Sequence, residues 1–391
     1  MNINNNNIRI WPIEIDENYI WFSDVLTGGL YRCYKNFEKV KCEIYPTDLS
    51  RYGVFRIGAI VSWKKYIILC PQEINNFVLV FSKETKKLKK VFIIYEEKNI
   101  YLDGARTIEN CLYLNFYRSN MAVIIIGLDE LCNYNTKEII PQIIPYPNNA
   151  VYTTWCAKCC DKVIYLPIYN EKIIFKIKQN KICPIIAEIP QNIFTLYIYN
   201  SEIWILAVGG WEAYRVDLNG KLQEIASIKQ EELLFEENGA NNIIVTEKYV
   251  FFLLRKKALG CYDRKRKYQV NLKISPRRLE NLYPDKLLTI FSEAIEKNGI
   301  LYLLPYANRG IKINLCTLKC KCIDILFPEE IDTNKNKYYD ELILAHKINY
   351  LFSEVNSKSL YVYLEYNLSN YLFKNSVSVI GEQIYLALSK A

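Results

Sequence analysis

The sequence predicts an all-β protein built from one small unit used seven times, and three observations predict it. The first is composition. The 391 residues include 32 Tyr and are rich in Ile and Val, and aromatic and β-branched side chains suit a pleated, half-buried surface. The second is a short apolar strand that recurs after a polar turn, at residues 19–22, 66–69, 112–114, 163–166, 203–206, 250–253 and 300–303. The third is a partner strand that follows each one. Marks at Ile20, Ile67, Leu112, Ile164, Ile203, Val250 and Leu301 are spaced by 47, 45, 52, 39, 47 and 51 residues. Marks on the partners at Tyr34, Phe81, Ile126, Ile177, Val216, Tyr262 and Ile313 are spaced by 47, 45, 51, 39, 46 and 51. The two series move together, so the variable length lies between units and the paired strands keep their register.

Each unit continues into an outer strand after a polar turn. Residues 39–44, 88–93 and 221–225 alternate polar and apolar, as a strand with one wet face does. An inner strand precedes each unit, at 57–61, 151–154 and 242–245. Four antiparallel strands in about 45 residues make one blade of a β-propeller. The expected architecture is therefore a seven-bladed propeller over residues 1–330. Beyond Leu326 the pattern fails. Leu360, Leu364, Leu368 and Leu372 fall at steps of four, as do Ile380, Ile384 and Leu388, which predicts a mostly helical tail over 331–391 packed on the ring. The rival reading is an eighth blade, with 348–352 as its strand.

Among named propeller patterns, the repeat with Gly-His and Trp-Asp pairs is excluded, because the chain has one His and no Trp-Asp. Two units carry a double glycine followed by Tyr: Gly28-Gly29 with Tyr31, and Gly209-Gly210 with Tyr214. These two resemble kelch units. The other five lack the double glycine, and the resemblance implies a propeller without implying a kelch function.

Other features bound the function class. The N-terminal Met1 to Asn7 has no basic then apolar signature, so no signal peptide is expected. No apolar run approaches the roughly 20 residues that span a bilayer. Thirteen Cys, mostly inside expected strands, fit reduced thiols in a cytoplasmic protein. Net charge is +8. Its densest clusters, Lys86-Lys87-Leu88-Lys89-Lys90 and Arg264-Lys265-Arg266-Lys267, fall at turns between outer strands and read as solvated hairpin tips. A nucleic-acid surface is disfavoured because the clusters are far apart in sequence and lack a recurring aromatic partner.

Candidate chemistry is thin. His346 is the single His and lies outside the repeats, which removes most Ser-His-Asp, Cys-His and multi-histidine mechanisms. Cys156-Ala157-Lys158-Cys159-Cys160 and the trio Cys316, Cys320 and Cys322 belong to units four and seven, so neither supplies four converging thiolates. Asp103, Glu171, Glu212 and Glu293 sit near loops without a spacing that forces a carboxylate pair. No catalytic residue, metal or cofactor is expected.

The remaining clue is topological. Loops joining the second and third strands of each blade share one face with the loops between blades. That face gathers Arg106, Tyr117, Arg118, Trp155, Tyr169, Trp211, Tyr306, Asn308 and Arg309. Tyr, Trp and Arg dominate binding hot spots. The sequence thus points to a binding or scaffold module for a protein partner. The alternative is a carbohydrate-binding or carbohydrate-active protein using carboxylates and aromatics on the same face.

Overall fold

The computed structural model describes residues 10–24, 28–35, 38–54, 57–71, 76–95, 101–117, 121–145, 158–160, 162–168, 170–229, 239–254, 259–272, 291–305 and 309–324. They form seven antiparallel sheets, each a blade with its strands in chain order from the inside out. Blade 1 is β1 (Ile10–Ile15), β2 (Tyr19–Asp24), β3 (Gly28–Tyr34) and β4 (Lys41–Ile44), followed by a short helix α1 (Pro46–Ser50). Blade 2 is β5 (Ile57–Trp63), β6 (Tyr66–Pro71), β7 (Phe77–Ser82) and β8 (Leu88–Ile93). Blade 3 opens with β9 (Tyr101–Ile108), β10 (Cys111–Tyr117) and β11 (Met121–Gly127). A connection with helix α2 (Leu128–Cys132) and strand β12 (Glu138–Ile139) then leads to its outer strand β13 (Gln142–Pro145).

Blade 4 is β14 (Lys158–Cys160), β15 (Val163–Pro167), β16 (Ile173–Lys178) and β17 (Lys181–Ile186). Blade 5 is β18 (Ile193–Tyr199), β19 (Glu202–Ala207), β20 (Glu212–Val216) and β21 (Leu222–Ser227). Blade 6 is β22 (Ala240–Val245), β23 (Tyr249–Leu254), β24 (Leu259–Asp263) and β25 (Tyr268–Gln269). Blade 7 is β26 (Phe291–Lys297), β27 (Ile300–Pro305), β28 (Arg309–Asn314) and β29 (Cys320–Asp324).

The register marks read from sequence are direct partners in six blades: Ile67 with Phe81, Leu112 with Ile126, Ile164 with Ile177, Ile203 with Val216, Val250 with Tyr262 and Leu301 with Ile313. In blade 1 the partner of Ile20 is Cys33, one residue short of the mark at Tyr34. The ring closes with seven blades. Ile10, Ile20 and Phe22 of blade 1 share one core with Ile295, Tyr302 and Ile323 of blade 7, which leaves no gap for an eighth blade in the ring. The tail expected over 331–391 and the inner strand expected at 151–154 lie outside the described residues. The described inner strand of blade 4 is β14 instead.

Two features were not legible in sequence. β12 runs parallel to β8 and gives blade 2 a fifth strand, while Leu128, Leu131 and Cys132 of α2 are buried in the core shared by blades 2 and 3. One connection therefore staples two blades together. The second feature corrects the reading of the basic turns. Lys83 Nζ lies 3.0 Å from Asp16 Oδ2 in blade 1 and 5.8 Å from the Trp21 ring, and Trp21 Nε1 donates to the same Asp16 oxygen at 2.7 Å. The same device recurs between blades 5 and 6. There Arg264 forms a bidentate pair with Glu202 at 3.0 and 2.9 Å and lies 5.0 Å from the Trp204 ring. Trp204 Nε1 donates to Glu202 at 3.0 Å. A cation from one blade, a carboxylate from its neighbour and a buried indole thus form a clamp. Lys86 also crosses a seam, pairing at 2.7 Å with Glu43, which is 2% exposed and also held by Arg32. Lys86, although exposed, and Arg264 therefore tie neighbouring blades together as well as capping the turns.

Two stability predictions follow from the seam between blades 1 and 2. Glu43→Gln leaves Arg32 and Lys86 without their charge partner and should cost about 2 kcal/mol in urea unfolding. The second concerns pH. Burial pushes the Asp16 carboxyl up, but hydrogen bonds from the Tyr19 amide, Lys83, Trp21 and the Asn18 amide more than offset it and hold it below its ordinary value. Burial likewise raises Glu43, and Lys86 and Arg32 outweigh it. Both groups therefore stabilise the fold fully above their unfolded pKa values, near about 4, and lose that contribution as pH falls through the lower folded values. Thermal midpoints should be level from neutral pH to about 5 and drop below about 4. The Asp16→Asn/Glu43→Gln protein should show a shallower acid limb. An unchanged limb would place the acid-sensitive contacts elsewhere.

Candidate functional site

The antiparallel strand order puts the loops between second and third strands and the loops between blades on one rim of the ring, and the tight turns on the other. The inner strands mark the loop rim. In six blades the pairing of first and second strands breaks register just inside it, between Ile10 and Ile13, Ile57 and Ala59, Ile193 and Thr195, Ala240 and Asn242, and Phe291 and Glu293, and in blade 3 beside Asn115 and Phe116. Such bulges bend a strand and re-aim its side chains, and they cluster at barrel rims and beside functional sites.

At the same depth the apolar interior turns polar. Five of the seven buried polar side chains among the described residues, Ser23, Asp24, Asn115, Thr195 and Asn242, are there, and the other two, Thr246 and Asp263, sit at the turn rim. A buried polar group needs a partner. Ser23 Oγ donates to the Gly29 carbonyl at 2.8 Å, and Asn242 Oδ1 accepts from the Ile243 amide at 2.9 Å. Sequence reasoning missed this belt. Its signal was a lone polar residue interrupting an apolar run, as Asn115 does after Leu112-Tyr113-Leu114.

The best-described stretch of rim joins blades 4, 5 and 6. Trp211 is half-buried and packs against the apolar core that blades 5 and 6 share. Its backbone is pinned on both sides. Gly210 N donates to Ala207 O at 3.0 Å, Ala240 N to Gly210 O at 2.9 Å, and Ile228 N to Trp211 O at 3.1 Å. Gly210 has φ of +74°, and a Cβ there would collide with the Ala240 backbone. The double glycine that resembles kelch thus has a local reason: two blade connections touch at their backbones. Beside Trp211, Gln191 Nε2 donates to Glu212 at 2.6 Å, and Asn192 Nδ2 to Asn170 Oδ1 at 3.3 Å. The Tyr214 hydroxyl donates to Glu212 from below. Burial pushes that phenol up, and the Glu212 charge adds to the shift. An indole, three carboxamides and two carboxylates, Glu171 and Glu212, therefore share one edge.

The expected site residues fare unequally. Trp211 lies on the loop rim as predicted. Arg106 does not: it sits within β9 opposite Tyr113, near the Glu109–Asn110 turn of the other rim, and its Nη1 donates to its neighbour Ala105 O at 2.8 Å. The inter-blade loop expected to carry it ends before β9 begins. Tyr117 ends β10 and Arg309 begins β28, both at the loop rim. Arg118, Trp155, Tyr169, Tyr306, Asn308 and His346 lie outside the described residues. The Cys groups stay apart, with Cys159 and Cys160 on β14 and Cys320 and Cys322 on β29. Among the described residues no three His, Cys, Asp or Glu side chains form a metal-holding group, and no helix is long and apolar enough to cross a membrane.

Comparison with known proteins agrees on the fold and stops there. The chain is similar to the computationally designed protein Ika8 (TM-score 0.55, 8% identity, covering 81% of this chain and 87% of that one). It is similar to virginiamycin B lyase from Staphylococcus aureus (0.54, 12%, 78% and 94%). It is also similar to YCF48, whose structure holds a D1 peptide (0.53, 9%, 78% and 93%). These define the class as a seven-bladed β-propeller. No protein-family description matches the chain, kelch included, and no curated protein matches it in sequence.

The rim geometry makes one prediction. Gly210→Ala must force a left-handed backbone and part the two connections, so it should cost at least about 2 kcal/mol. Gly53→Ala, also at positive φ but with open space around it, should cost only about 1 kcal/mol. Equal costs in urea unfolding would show that the backbone contact contributes nothing.

Proposed function

We propose that this propeller is a binding module that holds a protein partner across its loop rim and performs no chemical step on it. The observation that carries the reading is the rim itself. Six register breaks and the belt of buried polar side chains gather at one end of the ring. Regular strand pairing would have been the cheaper way to fold there, and local irregularity in an otherwise regular scaffold concentrates at binding surfaces. Trp211 fits an anchor in this setting. Its indole is large, its backbone is pinned, and the surrounding carboxamides can pair with a partner's backbone groups. The likeness to YCF48 with its bound peptide supports a peptide-holding use of the fold.

Photo-crosslinking tests the reading. A photoreactive side chain at Asn170 or Gln191, used in cells that make the protein, should capture a defined protein partner. Trp211→Ala should reduce that capture by at least tenfold, about 1.4 kcal/mol, while leaving the melting temperature within a few degrees. A saccharide signal on a glycan array that Trp211→Ala abolishes would overturn the reading, as would turnover of a small substrate at this rim.

A further inference from the structure

The turn rim, opposite Trp211, carries the protein's charge unevenly. In the described turns of blades 6, 7, 1 and 2, which are contiguous in the closed ring, there are thirteen Lys and Arg against five Asp and Glu. In the corresponding connections of blades 3, 4 and 5 there are three against five. The two basic clusters that are far apart in sequence, at 86–87 and 264–267, both fall on the first, basic arc. Four of the thirteen, Lys64, Lys83, Lys86 and Arg264, are engaged in seams, and Lys65 pairs with Glu84 in its own blade. Lys265, Arg266, Lys267 and Lys87 remain exposed.

At the middle of the arc, where blade 7 meets blade 1, the surface is concave. A cavity of about 390 Å³ is lined by Glu17, Asn18, Tyr34, Lys35, Glu38, Lys39 and Lys297. Tyr34 is 43% exposed there, 5.3 Å from the Tyr19 ring and 5.7 Å from Lys39 Nζ. A second half-exposed ring, Tyr268, follows the 264–267 turn, and its hydroxyl accepts from Arg266 Nη1 at 3.1 Å. Exposed rings interleaved with cations along a track are what the sequence alone did not show.

We infer that this arc binds single-stranded nucleic acid, with a base stacked on Tyr34 in the seam cavity and phosphates along the lysine turns. Three observations select this ligand over other polyanions. A phosphate backbone matches an extended line of point charges. A half-exposed ring in a basic hollow suits a base, which has a π face that an acidic peptide lacks. Glu17, Glu38 and Asn18 in the same hollow can accept from the exocyclic amino group of a base, a donor that a lipid phosphate group lacks. The site is independent of the loop rim.

The test uses the full chain and a fluorescent oligocytidine of about 20 nucleotides at about 50 mM salt, where such contacts are strong. Binding is expected, falling steeply as salt rises. Lys265→Glu/Lys267→Glu should weaken it at least tenfold, and so should Lys35→Glu/Lys39→Glu. Lys178→Glu/Lys181→Glu, at the strand ends that flank the blade 4 turn, should change it less than twofold. Tyr34→Ala should weaken it about fivefold or more, within the range for one stacked base. Melting temperatures identify any variant that fails to fold. The Lys265/Lys267 pair then decides, because it sits on an exposed turn. No binding at low salt overturns the inference. So does equal loss in the blade 4 variant, no effect of Tyr34→Ala, or binding confined to phosphatidylserine vesicles.

Discussion

Each blade buries both faces of its middle strands. Every residue of β23 is buried, and so are all but the first of β6 and β19. A sheet that is apolar on both faces cannot stand in water, and two such sheets still leave two faces bare. The burden passes from neighbour to neighbour until the ring closes. Here it closes by packing alone, with no strand exchanged between the described blades 1 and 7. The stability of every blade therefore depends on a seam made by the two ends of the described chain. Removing apolar side chains from that seam opens the whole assembly.

Apolar burial drives closure without fixing how one blade sits against the next, because it is not directional. The clamps supply direction. A residue just after the third strand of one blade meets the third residue of the second strand in the blade before it. That pair is Lys83 with Trp21 and Arg264 with Trp204. At two other boundaries the same positions hold Leu128 and Ile68, and Leu315 and Phe251, each pair within one apolar core. At these four boundaries the position is structural, and its chemistry changes in pairs. Where an indole N–H would otherwise be buried unpaired, a carboxylate accepts it, and that carboxylate then needs a cation.

The two rims divide the remaining work. Tight turns, many with a residue at positive φ such as Lys64, Lys86 or Lys267, finish one rim economically and leave lysines to face water. The other rim carries the bulges, the buried polar belt and the pinned Trp211. Propellers place variable surfaces on a rigid frame in this way, and the frame says little about the ligand.

The repeat was legible because strand pairing is local. Partners 12 to 14 residues apart impose a pattern that survives in the sequence, so six register marks fall on true pairs. The slip at Tyr34 is one residue, at a pair of strands buried on both faces, where no polar–apolar alternation marks which residues pair. Arg106 was placed on the wrong rim because apolar pattern marks a strand without marking its ends. Spacing alone could not show that Lys86 and Arg264 act across seams, since their partners lie 43 and 62 residues away. The sequence by itself determined the all-β class, the seven units and the pairing of second and third strands in six of them, all consequences of near-neighbour patterning. Tertiary structure decided closure at seven blades, the clamps, and the gathering of distant basic turns onto one arc, because each depends on contacts between units that no period along the chain records.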